Sequence, residues 1–192
     1  MSRRVIVVGA RSTRQGTGPF IAGAIKKSGA EVVAVVGTQT HSVESALASL
    51  ATEQDIRCRG YTDLNEAIAS EQPDAVAICS PYPFHLDQLQ TVAAAGCHCL
   101  VEKPLVWPGS AIQVSRSVEH FSRRGLLLQM VAQWPLSLAA FAELKGPIPQ
   151  MVNDFTMRLS PVSIGPNMVP DSAPHFISML QALLGPGQCE KV

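Results

Sequence analysis

The stretch Ala75–Leu105, AVAICSPYPFHLDQLQTVAAAGCHCLVEKPL, constrains the fold more than any other part of the chain. It opens with a short apolar run, turns at a Ser-Pro-Tyr-Pro corner and crosses a helical pattern closed by Gly96. A second apolar run then stops on Glu102-Lys103-Pro104. Two short buried runs on either side of one helix form a βαβ unit, whose strands are parallel and whose crossover is right-handed. Open sheets of that kind bind ligands beyond the carboxyl ends of their strands, which is where Lys103 falls.

The rest of the chain repeats this alternation. Val5–Val8 is a β-branched run closed by Gly9, and the loop ARSTRQGTGPF leads into a helix from about Pro19 to Ser28. Glu31–Val36 reads as a second buried strand, followed by helices over His41–Thr52 and Thr62–Ser70. Strand Ala75–Cys79, helix Pro83–Ala95, strand His98–Val101, helix Ser110–Arg124 and strand Leu126–Ala132 complete the series. The pattern predicts an α/β fold, a Rossmann-type doubly wound parallel sheet over residues 1–132. From Gln133 the texture changes to a helix ending near Lys145, an alternating strand Gln150–Leu159, a loop Ser160–Pro170 and a helix Asp171–Leu184. This is a small, incomplete α+β C-terminal segment over 133–192.

Composition narrows the partners. Fifteen basic and fifteen acidic side chains cancel, with no Lys/Arg-dense face to attract nucleic acid or an anionic membrane. No apolar run approaches the ~18 residues needed to cross a bilayer. MSRRVIVVGA places two arginines before an apolar stretch too short for a signal-peptide core, so a first strand in a cytoplasmic protein is expected. Five cysteines in no framework spacing read as reduced, mostly buried thiols, and Cys97-His98-Cys99 lacks the further ligands of a metal site.

Four features carry chemistry. In the first loop, backbone N–H groups at a helix N-terminus are suited to a dinucleotide pyrophosphate, provided that glycines let it approach. Gly9 stands where the G-x-G-x-x-G pattern begins, but Arg11 and Arg14 occupy the next two glycine positions, while Gly16 and Gly18 come later. The loop reads equally as an expanded phosphate cradle, with Arg11 or Arg14 pairing the phosphate, and as a structural turn. After the second strand, Gly37-Thr38-Gln39-Thr40-His41 holds no acid for a ribose diol. That leaves room for a 2′-phosphate beside Thr38 and leans the cofactor from NAD toward NADP. Lys103, at a proline-stopped strand end, is suited to protonate or hydrogen-bond a substrate oxygen, against the plainer alternative of a solvated lysine. Asp171 and His175 lie four apart and share a helix face, either as an acid/base pair or as an N-cap and an ordinary helix residue.

With these residues in view, the chain resembles the glucose–fructose oxidoreductase / inositol dehydrogenase / MocA (Gfo/Idh/MocA) family. The likeness is carried by the Ala75–Leu105 stretch with its Glu-Lys-Pro motif and by PDSAPHFISMLQALLG. It implies NAD(P)-dependent hydride transfer to or from a sugar-like or cyclic polyol substrate. Lys103 and His175 would be the catalytic pair, with Asp171 assisting, and Ser80, Pro81, His85 and Glu102 would lie on the cofactor side. Family members are usually longer, with a large antiparallel sheet after the Asp/His helix, where this chain supplies the one strand Gln150–Leu159. Its open edges predict a homo-oligomer or pairing with another chain. The alternative is a non-catalytic nucleotide- or sugar-binding module, or a partner subunit, that kept the fold.

Overall fold

The computed structural model describes residues 2–11, 16–148, 152, 154–161, 163–185 and 187. The chain divides into two units, Met1–Met130 and Val131–Val192.

The first unit is one parallel sheet wrapped by helices. Its strands are β1 (Arg4–Val8), β2 (Glu31–Val36), β3 (Arg59–Tyr61), β4 (Ala75–Ile78), β5 (His98–Val101) and β6 (Leu128–Met130). Between them run α1 (Gly18–Lys27), α2 (Thr40–Glu53), α3 (Leu64–Glu71), α4 (His85–Ala94) and α5 (Ala111–Arg123). The strand order is β3-β2-β1-β4-β5-β6, so the winding reverses between β1 and β4. This is the doubly wound Rossmann arrangement.

The β-branched runs RVIVV and EVVAVV form the centre because a strand covered on both faces has no polar side to offer. Alternate residues of β1 enter different cores. Ile6 and Val8 pack with Val76, Ile78, Leu89, Val101 and Phe121, while Val5 and Val7 pack with Ala22, Val35, Val43 and Leu50. Burying each such aliphatic side chain contributes about 1.5–3 kcal/mol before entropy is counted. Helix starts follow local chemistry. Asp63 caps α3 by accepting from the Glu66 N–H, and Ser110 with Gln113 closes a capping box on α5.

Strand β3 is absent from the sequence expectation, and its composition explains why. Arg59-Gly60-Tyr61 has no apolar run, and it pairs along one side only, with β2. It is held by the buried carboxylate of Glu71, which accepts from Tyr61 OH at 2.6 Å and ion-pairs with Arg59 (3.3 Å) and Arg4 (3.1 Å).

The second unit contains α6 (Ser137–Lys145) and α7 (Met168–Leu184), each led by a single 3-10 turn, at Trp134–Leu136 and Gly165–Asn167. Helix α7 begins three residues before the expected Asp171. Pro170 is accommodated because it falls in the first turn, where the backbone N–H has no intrahelical partner. Pro174 also lies inside the helix, where it has no N–H for the carbonyl of Pro170.

The expected strand Gln150–Leu159 is corrected. Gln150, Met151 and Asn153 lie outside the described residues, and residues 152 and 154–159 carry no strand. The period of two is real, since Asp154, Thr156 and Arg158 are exposed while Phe155, Met157 and Leu159 are partly buried. What is missing among the described residues is a ladder partner, without which alternation does not make a stable strand. Phe155 packs instead on Phe176 of α7, with ring centroids 5.5 Å apart.

Candidate functional site

The winding reversal opens a crevice at the carboxyl ends of β1 and β4, where the chain leaves both strands through glycine- and proline-bearing turns. Gly9 follows β1 with φ of +83°, and its N–H donates to the Val36 carbonyl at 2.9 Å. A Cβ at Gly9 would stand 2.7 Å from the Ser80 nitrogen and 2.8 Å from the Cys79 carbonyl carbon and oxygen. Backbone cannot yield there, so position 9 excludes every side chain. A Cβ at Gly18 would run into the Gly9 carbonyl oxygen and lie 2.7 Å from the Ala10 Cα. Gly18 therefore lets the start of α1 lie against the end of β1, the packing task of the third fingerprint glycine. It does so from a later position, across a longer loop.

Gly16 and Thr17 lead into α1, whose first turn holds no acidic residue, so nothing there offsets the positive end of the helix dipole. The Thr17 side chain interacts with the Cys79 thiol just past β4 and slightly offsets the rise in its pKa. Arg11 is exposed, and Arg14 lies outside the described residues. At the end of β2, Thr38 is exposed, and α2 also begins without an acid in its first turn.

Across the crevice, Ser80 and Pro81 form the turn after β4. The first turn of α4 holds Ser80 twice. Its hydroxyl donates to Gln88 Oε1 at 2.6 Å, and its carbonyl lies 2.8 Å from His85 Nε2. The other ring nitrogen of His85, Nδ1, lies 2.9 Å from the Pro104 carbonyl, and the side chain is 0% exposed. Strand β5 ends where the Glu102 N–H donates to the Ile78 carbonyl at 2.8 Å. The Glu102 carboxylate then accepts the Lys103 N–H at 3.2 Å, and the Lys103–Pro104 bond is cis. Lys103 thus stands one residue beyond the last ladder bond, partly exposed, at the carboxyl edge of the sheet. Burial first, and the Glu102 charge second, push the Cys79 thiol up to about 12, so it remains a neutral wall residue.

The structure brings together Gly9 with Ser80, Ser80 with His85, and Glu102 with Lys103, all within the first unit. Gln88 and Thr17 join them. Gln88 carries no sequence signal beyond lying three residues from His85, and Thr17 none beyond its glycine neighbours.

In the second unit, Asp171 and His175 lie one turn apart on α7. The Asp171 carboxylate accepts the Ser163 N–H at 3.1 Å from within the helix, so it is not an N-cap. The His175 ring meets Trp134 edge to face, with centroids 5.8 Å apart.

Other candidates resolve plainly. Cys97 donates to the Pro73 carbonyl at 3.4 Å, and His98 Nδ1 accepts the Leu127 N–H at 3.0 Å. No group of three potential metal ligands occurs among the described residues. None of their helices is long and apolar enough to cross a membrane.

A doubly wound sheet with glycine turns at its switch point defines a Rossmann dinucleotide-binding unit. The particular family is the oxidoreductase family with an NAD-binding Rossmann fold, Gfo/Idh/MocA, whose model matches residues 3–132, and the chain belongs to it. Among its relatives is the 4-carboxy-2-hydroxymuconate-6-semialdehyde dehydrogenase of Sphingobium sp. (strain NBRC 103272 / SYK-6). The two are 31% identical over 93 residues, which is 47% of this chain and 28% of the relative. The 1,5-anhydro-D-fructose reductase of Ensifer adhaerens is 35% identical over 86 residues, 45% of this chain and 24% of the reductase. The match therefore spans only about a quarter of the length of these curated relatives. A crystal structure of an NAD binding oxidoreductase from Klebsiella pneumoniae shares the fold, with TM-score 0.72 and 21% identity over 96% of this chain and 54% of that one.

Proposed function

We propose that this chain binds NAD or NADP at the β1/β4 crevice and serves hydride transfer from a CH–OH carbon, or in reverse to the corresponding carbonyl carbon, of a sugar-like or cyclic polyol substrate. The observation that carries the reading is the place of Lys103. It is anchored one residue past the Glu102–Ile78 ladder bond, at the edge of the sheet where such folds bind their ligands.

The crevice residues fit a dinucleotide. Gly9 is a position that a Cβ would fill, Gly18 lets α1 approach, and the acid-free first turn of α1 presents N–H groups to a pyrophosphate. Gly16 would allow close approach of the phosphates, Arg11 and Arg14 would pair with them, and Ser80 and Pro81 would flank the nucleotide. When bound, the nicotinamide supplies the hydride acceptor or donor. Thr38, with no carboxylate in the α2 first turn, admits a 2′-phosphate, which is the ground for leaning toward NADP.

The protein's own part is proton handling. The Lys103 ammonium hydrogen-bonds the reacting oxygen and stabilises the negative charge that develops on it. His175 exchanges the proton, and Asp171 sets its orientation. Titration with NADH and NADPH, followed by cofactor fluorescence, tests the binding step, and absence of binding by either at millimolar concentration sinks the reading.

A second proposal concerns assembly. Helix α6 buries none of its side chains, and Leu136, Phe141 and Leu144 are exposed, which supports pairing of the second unit with another copy or another chain. Sedimentation velocity decides it.

A further inference from the structure

The His85 side chain is a buried brace between the two loops that frame the crevice. Its Nε2 faces the carbonyl of Ser80 at 2.8 Å and its Nδ1 faces the carbonyl of Pro104 at 2.9 Å, with no solvent exposure. Residues 80 and 104 follow β4 and β5, adjacent parallel strands whose last paired residues are Ile78 and Val101. Beyond that pairing the two chains are joined by the Glu102 N–H on the Ile78 carbonyl and then by the His85 ring. Lys103 lies between these two fastenings. On one side is the Glu102 ladder bond, and on the other is the Pro104 carbonyl.

The ring is itself well seated. His85 opens α4, and Leu89, one turn on, is fully buried in the core formed by α4 and β5. Gln88, also one turn on, takes the Ser80 hydroxyl. The first turn of α4 therefore fixes Ser80 through two atoms and Pro104 through one. Both carbonyls accept only, so a neutral ring donates to one of them at a time, and the Pro104 arm is a hydrogen bond when the ring proton is on Nδ1, the tautomer the brace requires.

We propose that His85 is a positioning residue that holds Lys103 in register with the Ser80 side of the crevice, acting through the Pro104 carbonyl. This rests on the reading of Lys103 as the proton-handling group. The geometric cost of misplacement gives the expected size, since an error of ~1 Å at a reacting group can cost on the order of 100-fold in rate.

Three variants test it in the full chain. His85→Phe removes both arms, His85→Asn keeps an amide donor near the Nδ1 position facing Pro104, and His85→Gln keeps one near the Nε2 position facing Ser80. The prediction is a kcat drop of about ten- to hundredfold for His85→Phe, read at saturating cofactor. His85→Asn should recover more of kcat than His85→Gln, because its arm lies on the lysine side. The pH profile of turnover should move in His85→Phe and return in His85→Asn. Should His85→Phe not fold, the Asn/Gln pair alone carries the test.

Labelling of Lys103 by an amine-reactive reagent, read by mass spectrometry, needs no substrate. Its rate should rank wild type, Asn, Gln and Phe in the same order of departure. If wild-type protein binds neither NADH nor NADPH, the oxidoreductase reading fails, yet the labelling order still judges the brace. Equal kcat and labelling in all folded variants, or losses that track melting temperature without the Asn-over-Gln order, overturn the proposal.

Discussion

The two units use their apolar side chains differently. In the first, Ile6, Val7, Ile78, Leu89 and Phe121 are at most 1% exposed, and helices cover both faces of the sheet. In the second, α6 buries nothing, and Phe141 and Leu144 are 53% and 81% exposed. The same kinds of residue stand in both, so composition does not separate them. What separates them is whether the chain supplies an opposing surface. A strand pattern with neighbours on both sides became β1, while the alternating pattern at 154–159 found no ladder among the described residues.

The contrast makes graded predictions. The largest effect belongs to the crevice. Lys103→Met should lower kcat by about 10²–10⁴-fold, the usual worth of a positioned proton donor, with NADH affinity nearly unchanged. His175→Ala should fall in the same range if the second unit shares the chemistry. A His175→Ala enzyme with wild-type turnover would confine catalysis to the first unit.

Next comes packing. Phe121→Ala should cost about 3–5 kcal/mol in urea unfolding at any protein concentration, whereas Phe141→Ala should change the stability of the dissociated chain by no more than about 0.5 kcal/mol. A loss for Phe141→Ala that grows with protein concentration is what the proposed pairing through α6 predicts, whereas a large loss independent of concentration would collapse the contrast between units.

Gly18→Ala tests the loop. Its Cβ meets backbone rather than a yielding side chain, so a loss of about 1–3 kcal/mol is expected, together with weaker NADH binding. Unchanged melting and affinity would remove Gly18 from its assigned packing task.

The smallest effect is at the opposite edge of the sheet. Asp74 accepts from the Arg4 backbone N–H at 2.8 Å and then from the Arg3 guanidinium, and these hold its carboxyl below the ordinary 3.8. A depressed carboxyl pKa gives stability that is present above the unfolded value and lost as pH falls through the folded one. Asp74→Asn should therefore weaken the protein at neutral pH and flatten the acid limb of its stability below about pH 4. Urea midpoints for both proteins across that range check it, and parallel acid limbs would refute the assignment.

Much of this contrast was legible before any coordinates. Runs such as EVVAVV specify a buried strand because alternation is lost only when both faces are covered, and the helix expected over Ser110–Arg124 is found as α5. The position of Lys103 followed from the proline after it and the βαβ rhythm before it. Strand β3 was not legible, because Arg59-Gly60-Tyr61 is held by Glu71, ten to twelve residues away, and by no periodicity of its own. The partners of His85 were hidden for the same reason, since Pro104 lies 19 residues away and the contact is made only when β4 and β5 align. In the second unit the pattern told the period of residues 154–159 correctly but not their lack of a ladder among the described residues, because a ladder needs a second strand that periodicity does not reveal.

The thiols of the first unit give the fold a consequence of another kind. Burial, and for Cys58 the Glu71 charge after it, raises Cys58 to about 11, while burial raises Cys79 and Cys99 to about 12. At neutral pH hardly any reactive thiolate exists at these positions until the sheet opens, because the thiolate and not the thiol attacks. Alkylation of Cys99, buried within β5, is therefore a clock for the opening of that strand.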